Sequence, residues 1–185
     1  HSSKGSVSFG KIALHSRNKH SDELCVSITH ESFALATSYG AHFVKVRVDT
    51  ETGEVKILDY AAVHDVGRAI NPLGVEGQIE GAIMMGLGYA TSEEMTLDAK
   101  GRVRNSSFRT YKLTRANQMP EQHKIKLVEE LEYGGPYGAK SIGECSLVPV
   151  TPAIVNAISN AIGAEFDDLP VTPEKILCKL KELPA

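Results

Sequence analysis

The chain has 185 residues, of which 42% are apolar and 23% charged, and its formal net charge is −3. This composition is typical of a globular protein with one or two domains. The small negative charge offers no electrostatic basis for binding nucleic acid. No apolar run approaches the roughly 20 residues that a membrane span requires. We therefore expect neither nucleic acid nor a membrane among its partners.

Three cysteines, Cys25, Cys145 and Cys178, lie far apart in the sequence and are odd in number. This pattern disfavours a disulfide framework and suits the reducing conditions of the cytoplasm. The same spacing does not fit an iron–sulfur cluster held by this chain alone. We expect a cytoplasmic protein without a cluster of its own.

Regular structure is predicted from residue 41 onward, whereas residues 1–40 form an N-terminal segment of uncertain boundary. In HFVKVRVD, valines alternate with charged residues, which is the period of a half-buried strand. The turn DTETGE then leads into VKILDYAAVHDV, so a β-hairpin is predicted. SFRTYKL and KIKLVEELEY are expected to add further strands.

A helix is predicted to begin at Asn71, a good capping residue, with Pro72 at its first position. Apolar residues recur every four positions and should face the core: Val75, Ile79, Ile83 and Leu87. The same helix contains five glycines, each of which costs about 1 kcal/mol relative to alanine: Gly74, Gly77, Gly81, Gly86 and Gly88. Two explanations stay open. The helix packs closely against a sheet, or a bulky polar ligand approaches beside Gln78, whose amide both donates and accepts hydrogen bonds.

Two further helices are predicted near the C-terminus. Thr151 and Pro152 mark the start of one, which Gly163 should end, and Thr172 and Pro173 mark the start of the last. The elements do not alternate regularly. The predicted fold class is α+β, with mixed strands, a β-hairpin and several packed helices.

The stretch GGPYGAKSIGECS, residues 134–146, cannot form a regular helix or a central strand because of its glycines and proline. In this loop Glu144 follows Gly143 and precedes an apolar helix. Partial desolvation there would raise the pKa of its carboxyl toward the range useful to a general base. A capping or surface glutamate is the alternative. His64, beside Asp65 at a strand end, favours a structural role.

Two stretches resemble one enzyme family. VHDVGRAINPLGVEGQIEGAIMMGLGYATSEEM, residues 63–95, resembles the D-x-G-x-x-x-N-P…G-Q-x-x-G…G-x-G…E signature of the molybdenum hydroxylases, the xanthine dehydrogenase and aldehyde oxidase family. GAKSIGECSLVPVTPAIVNAISNAIG, residues 138–163, resembles the loop and helix that end the active site of that family. With similar flanking segments, the resemblance extends in order from about residue 40 to residue 180. It implies that residues 41–185 are the C-terminal part of a molybdenum-cofactor-binding domain in a large subunit.

The resemblance also implies roles for particular residues. Glu144 falls on the general base that takes a proton from the hydroxide on molybdenum, and Gln78 falls beside the cofactor. The loop that lines the pterin and metal site contains three more candidates for cofactor binding, by backbone amides: Lys140, Ser141 and Ile142.

Members of this family hydroxylate purines, other N-heterocycles or aldehydes with oxygen taken from water. The implied cofactor is molybdenum–molybdopterin, with or without an added nucleotide. A 2Fe-2S cluster and FAD are expected on other domains or subunits, which together with the rest of the molybdenum subunit are the implied partners. Alone, the chain is expected to be inactive. Two alternatives stay open: a non-catalytic cofactor-binding module, and an α+β interaction domain whose glycines are structural.

Two positions depart from the family pattern. Gln118 stands before Met-Pro, where aspartate is more usual in the family. Cys145 stands directly after the candidate base, where proline is common in the family. The thiol is expected to change the rigidity of the loop.

Overall fold

A computed structural model describes residues 5–20, 25, 27–29, 35–120 and 122–182. Contacts within the chain divide it into two units, residues 1–33 and residues 34–185. The first unit contains helix α1 (Phe9–His20), which the sequence analysis did not predict. The domain boundary predicted after residue 40 stays a prediction.

The second unit contains a three-stranded sheet and three α-helices. Its elements, in chain order, are β1 (Tyr39–Val48), β2 (Val55–Asp65), α2 (Pro72–Thr91), β3 (His123–Val128), α3 (Val150–Ile162) and α4 (Pro173–Glu182). β1 and β2 are antiparallel, which confirms the predicted hairpin. β3 pairs with β2 in parallel, so β2 is the central strand. The α+β fold class is confirmed.

The prediction of a strand at SFRTYKL was wrong. In this segment the amides of Thr110 and Tyr111 both donate to the carbonyl of Ser107, at 2.9 and 2.8 Å, so the backbone turns back on itself. Phe108 is 89% exposed. Because its apolar side chain has no core to face here, the alternation of the sequence does not produce a strand. In KIKLVEELEY, the strand ends at Val128.

The core of the second unit lies between one face of the sheet and helices α2 and α3. The apolar stripe of α2 is confirmed, because Ile79, Ile83 and Leu87 are buried and Val75 packs against them. α3 contributes a matching stripe four residues apart: Val150, Ile154 and Ile158. These contacts hold α2 and α3 side by side on the sheet.

The helix ends follow the local signals in the sequence. The Asn71 side chain caps α2 by accepting a hydrogen bond from the Gly74 amide at 3.2 Å. Helix α3 ends at Gly163, whose φ of 74° is in the left-handed region that glycine adopts without strain. α4 begins at Pro173, after Thr172, as predicted.

Four of the five glycines of α2 fall into two groups with different surroundings, and at the fifth, Gly74, a Cβ would meet the capping side chain of Asn71 at 3.1 Å. At Gly86 the side chain of Val150 occupies the space that a Cβ would need, and at Gly88 the side chain of Glu93 does so. Among the residues that the structure describes, no atom lies within 4 Å of a Cβ placed at Gly77 or Gly81. Close packing therefore explains the two C-terminal glycines, while the N-terminal half of the helix exposes bare backbone.

The apolar character of α3 is relevant to the expectation that the chain contains no membrane-spanning segment. The segment Glu144–Ile162 has 19 residues and contains an 18-residue window with a mean hydropathy of 1.4, so by length and composition it passes as a candidate span. The expectation that no run approaches this length was therefore wrong. Within the segment, α3 itself has 13 residues, fewer than the roughly 20 that cross a bilayer. One face of α3 is buried in the core described above, and 22% of the apolar window is buried in all.

Candidate functional site

The glycine loop lies across the end of the central strand. The Lys140 amide donates to the Val66 carbonyl at 2.9 Å, and the Arg68 amide donates to the Gly138 carbonyl at 2.8 Å. Gly67 has a φ of 59°, and the Gly138 carbonyl occupies the position of its missing Cβ. Glycine is required here because a side chain would separate the loop from the strand.

Lys140 forms a partly buried ion pair with Asp65, the last residue of β2. Lys140 Nζ lies 2.6 Å from Asp65 Oδ2, and the two side chains are only 5% and 14% exposed. Burial raises the pKa of Asp65, but hydrogen bonds from Lys140 and the Gly67 amide outweigh this and hold it below its usual value. The hydrogen bond to Asp65 raises the pKa of Lys140. Both the amide and the ammonium group of Lys140 thus have partners in the chain, and its contact with a cofactor stays a prediction.

The next part of the loop is held by its carbonyls. The Ser141 carbonyl accepts hydrogen bonds from Ser38 Oγ at 2.7 Å and from Cys145 Sγ at 3.1 Å. The Cys145 thiol therefore restrains the loop through a hydrogen bond, at the position where the resemblance leads one to expect proline. The backbone amides from Ser141 to Cys145 donate to no acceptor in the described part of the chain. Such unpaired amides can bind an anionic group, so this segment fits the predicted cofactor contact of Ser141 and Ile142.

Glu144 begins a short 3-10 turn (Glu144–Ser146) and lines an open cavity of about 1060 Å³. The walls are mostly apolar and come from α2, the two residues after the 3-10 turn, α3 and residues 166–169: Met85, Tyr89, Leu147, Val148, Val155, Phe166 and Leu169. Glu144 itself is exposed. The predicted desolvation of this carboxylate is therefore not provided by the described residues. It would have to come from atoms outside the described residues.

Gln78 is exposed on the half of α2 that carries Gly77 and Gly81. Met85 follows seven residues later, on the same side of the helix and about 10 Å further along its axis. Because Met85 lines the cavity of Glu144, Gln78 and Glu144 lie on the same side of α2. The open glycines leave room for a broad group beside Gln78.

His42 on β1 and the buried His64 on β2 form a network that the sequence analysis did not predict. His42 Nε2 lies 2.7 Å from His64 Nε2, and His42 Nδ1 lies 2.8 Å from the Tyr60 hydroxyl. His64 is fully buried, and its Nδ1 has no hydrogen-bond partner in the described part of the chain. Gly40 is required opposite it, because a Cβ there would overlap the His64 ring. His42 and His64 occupy inward positions in two strands whose sequences alternate. These positions were the sequence signal from which the network could have been predicted.

We expect this network to make the chain less stable in acid. Burial, and then repulsion from His64, lower the pKa of His42 to about 4, and burial lowers that of His64. An unfolded histidine has a pKa of about 6.5, so the unfolded chain binds more protons below that pH. The free energy of unfolding should therefore fall as the pH decreases from about 6.5 toward 4.

Urea unfolding of the chain between pH 7.5 and pH 4.5 measures this dependence. His42→Gln keeps hydrogen-bonding atoms but cannot be protonated, so its free energy of unfolding should fall less as the pH decreases. The control His123→Gln, at an exposed site, should keep the pH dependence of the unsubstituted chain. An unchanged pH dependence in His42→Gln would show that the pair is not responsible.

Comparisons with known proteins bear on this site. Residues 6–120 match the family model of the molybdopterin cofactor-binding domain. A probable hypoxanthine oxidase of Escherichia coli strain K12 is 35% identical over 181 residues, which is 97% of this chain and 19% of that protein. A putative xanthine dehydrogenase molybdenum-binding subunit of the same strain is 41% identical over 140 residues, 75% of this chain and 18% of that subunit.

Solved structures agree with these matches. Quinoline 2-oxidoreductase from Pseudomonas putida 86 superposes with a TM-score of 0.75 at 30% identity, over 80% of this chain and 19% of that one. Aldehyde oxidoreductase from Desulfovibrio gigas superposes with a TM-score of 0.71 at 32% identity, over 78% of this chain and 15% of that one. The chain thus spans about a fifth of the length of the curated relatives it matches.

Proposed function

The chain belongs to the molybdopterin cofactor-binding domain family, and we propose that it is the C-terminal part of the molybdenum-binding subunit of a hydroxylase. The observation that carries this proposal is the arrangement around α2. A bare glycine surface beside Gln78 and a carboxylate, Glu144, lie on the same side of one helix, next to a loop with unpaired amides.

We propose that three features hold the molybdopterin. The open surface at Gly77 and Gly81 accepts the broad face of the pterin, and the Gln78 amide pairs with its polar edge. The amides of Ser141 and Ile142 donate to the anionic end of the group. When bound, the molybdenum group supplies the oxidising equivalents and the oxygen that comes from water.

In this proposal Glu144 acts as the general base. Its carboxylate stands at an otherwise apolar cavity, where a small planar substrate can pack against the walls while Glu144 accepts a proton. Other parts of the enzyme would desolvate the carboxylate when they cover the cavity. The substrate is a purine, another N-heterocycle or an aldehyde, in keeping with the hypoxanthine, quinoline and aldehyde in the names of the similar proteins.

The remaining machinery is proposed to lie outside this chain. Since the chain spans about a fifth of its relatives' length, the rest of the molybdenum subunit completes the site. A 2Fe-2S cluster and FAD on other domains or subunits then carry the electrons away. We infer that the chain alone neither retains the cofactor nor turns over substrate.

Assembly of the complete enzyme tests this proposal. We expect molybdenum by mass spectrometry, and pterin fluorescence after oxidation, only when the chain is joined to the rest of its subunit. That enzyme should incorporate ¹⁸O from labelled water into a purine, quinoline or aldehyde product. Full molybdenum without any turnover would instead favour a non-catalytic cofactor-binding module. Folded samples without cofactor in either form would refute both.

A further inference from the structure

We propose that the Asp65–Lys140 ion pair is a positioning device that holds Glu144 in place by fastening the glycine loop to the end of β2. The pair joins residues 75 positions apart in the chain. Lys140 lies four residues before Glu144. The inference rests on the proposed function, because it assigns these two residues to the placement of the proposed base.

The geometry of the pair is that of a rigid anchor. The ammonium group and the carboxylate are both partly buried, and a charge withdrawn from water in this way is unfavourable unless it is paired. Asp65 is further fixed because its second oxygen accepts a hydrogen bond from the Gly67 amide at 3.0 Å. Lys140 Nζ also lies 5.8 Å from the centre of the Tyr39 ring on β1. Two strands of the sheet thus hold one lysine of the loop.

The segment between this anchor and the carboxylate is restrained by the hydrogen bond from Ser38 Oγ to the Ser141 carbonyl and by the packing of Ile142 against the core. Its amides are unpaired in the described part of the chain, and a Cβ at Gly143 would meet no described atom within 4 Å. Beyond Glu144, the Cys145 thiol donates to the Ser141 carbonyl at 3.1 Å, and the hydroxyl of the buried Ser146 donates to the Gly143 carbonyl at 2.6 Å. The Lys140 ion pair is therefore the charged attachment on the N-terminal side of Glu144, beside the backbone bonds at Gly138 and Lys140.

This arrangement gives the Lys140 side chain a different role from cofactor contact. Its ammonium group is directed to Asp65 and is almost completely shielded from solvent. Loss of either partner should release the loop and displace the Glu144 carboxylate. A displacement of about 1 Å in a reacting group can cost 10²-fold in rate, so the effect should appear in turnover more than in substrate or cofactor binding.

The test uses the complete molybdenum subunit assembled with its partners, with Asp65→Asn, Lys140→Met and the double variant. Each single variant should lower kcat by about 10- to 100-fold, with a much smaller change in KM and with normal molybdenum content. The double variant should be no slower than the slower single variant, because both changes remove the same interaction. The exposed pair Asp98–Arg102 supplies matched controls, Asp98→Asn and Arg102→Met, which should leave kcat unchanged.

Hydrogen exchange gives a second readout that does not depend on activity. The peptide that covers residues 138–148 should exchange faster in Asp65→Asn and in Lys140→Met, but not in the two controls. If these variants do not fold, Asp65→Glu and Lys140→Arg replace them, because both keep the charges. Their loop peptide should also exchange faster, but by a smaller factor.

Three results would overturn the proposal. The first is hydrogen exchange of the loop at an unchanged rate, and the second is a double variant in which the two losses of kcat add. The third is a loss of molybdenum in Lys140→Met but not in Asp65→Asn. The last would assign Lys140 to the cofactor. Normal turnover in a parallel Glu144→Gln variant would refute the proposed base, while loop exchange would still decide whether the pair anchors the loop.

Discussion

Glu144→Gln in the complete enzyme is expected to lower kcat by about 10²- to 10⁴-fold, which is the usual loss when a general base is removed. Glutamine has nearly the same shape but cannot accept the proton. Because Glu144 is exposed at the cavity rather than packed in the core, the substitution should not disturb the fold. Steady-state kinetics with the best substrate, together with the molybdenum content per subunit, measures the effect.

The matched control is Glu165→Gln, at an exposed carboxylate outside the residues that line the cavity. This variant should keep full turnover. A decline in Glu144→Gln that follows a loss of molybdenum would assign the residue to cofactor retention instead of proton transfer. Near-normal turnover with a full complement of metal would refute the assignment of Glu144 as the base.

A small side chain at an open glycine of α2 should stabilise the chain, whereas a large side chain at the same position should weaken cofactor binding. Gly81 lies inside the helix, and a Cβ there meets no described atom within 4 Å. Gly81→Ala should therefore raise the free energy of unfolding of the chain by about 1 kcal/mol through helix propensity. In the complete subunit, Gly81→Leu should remove most of the molybdenum, because its side chain would fill the surface proposed to accept the pterin. Urea unfolding and metal analysis measure the two effects.

Gly86→Ala is the control within the same helix. Val150 occupies the space of its Cβ, so this change should destabilise the chain by about 1–3 kcal/mol, the cost of overpacking. If Gly81→Leu retained all of its molybdenum, the bare surface of α2 would not be a cofactor site. Gln78→Ala should likewise reduce molybdenum content, whereas a helix that serves only packing would tolerate it.

Features that depend on residues close together in the sequence were predictable. The β1–β2 hairpin follows from alternating valines and a polar turn, and α2 follows from a cap at Asn71 and an apolar stripe. The end of α3 at Gly163 follows from the conformational freedom of glycine. The ordered motifs in residues 63–95 and 138–163 were also sufficient to indicate the molybdopterin-binding family, because they are read directly from residue identity and spacing.

Features that depend on distant residues were decided only by the tertiary structure. Which glycines of α2 pack and which stay open depends on where α3 places Val150. The pairing of Lys140 with Asp65, and of His42 with His64, depends on the register of strands and loops far apart in the chain. The exposure of Glu144 likewise depends on what covers the loop. Local periodicity determines how a segment folds, but burial and charge pairing are properties of the surfaces that the fold brings together.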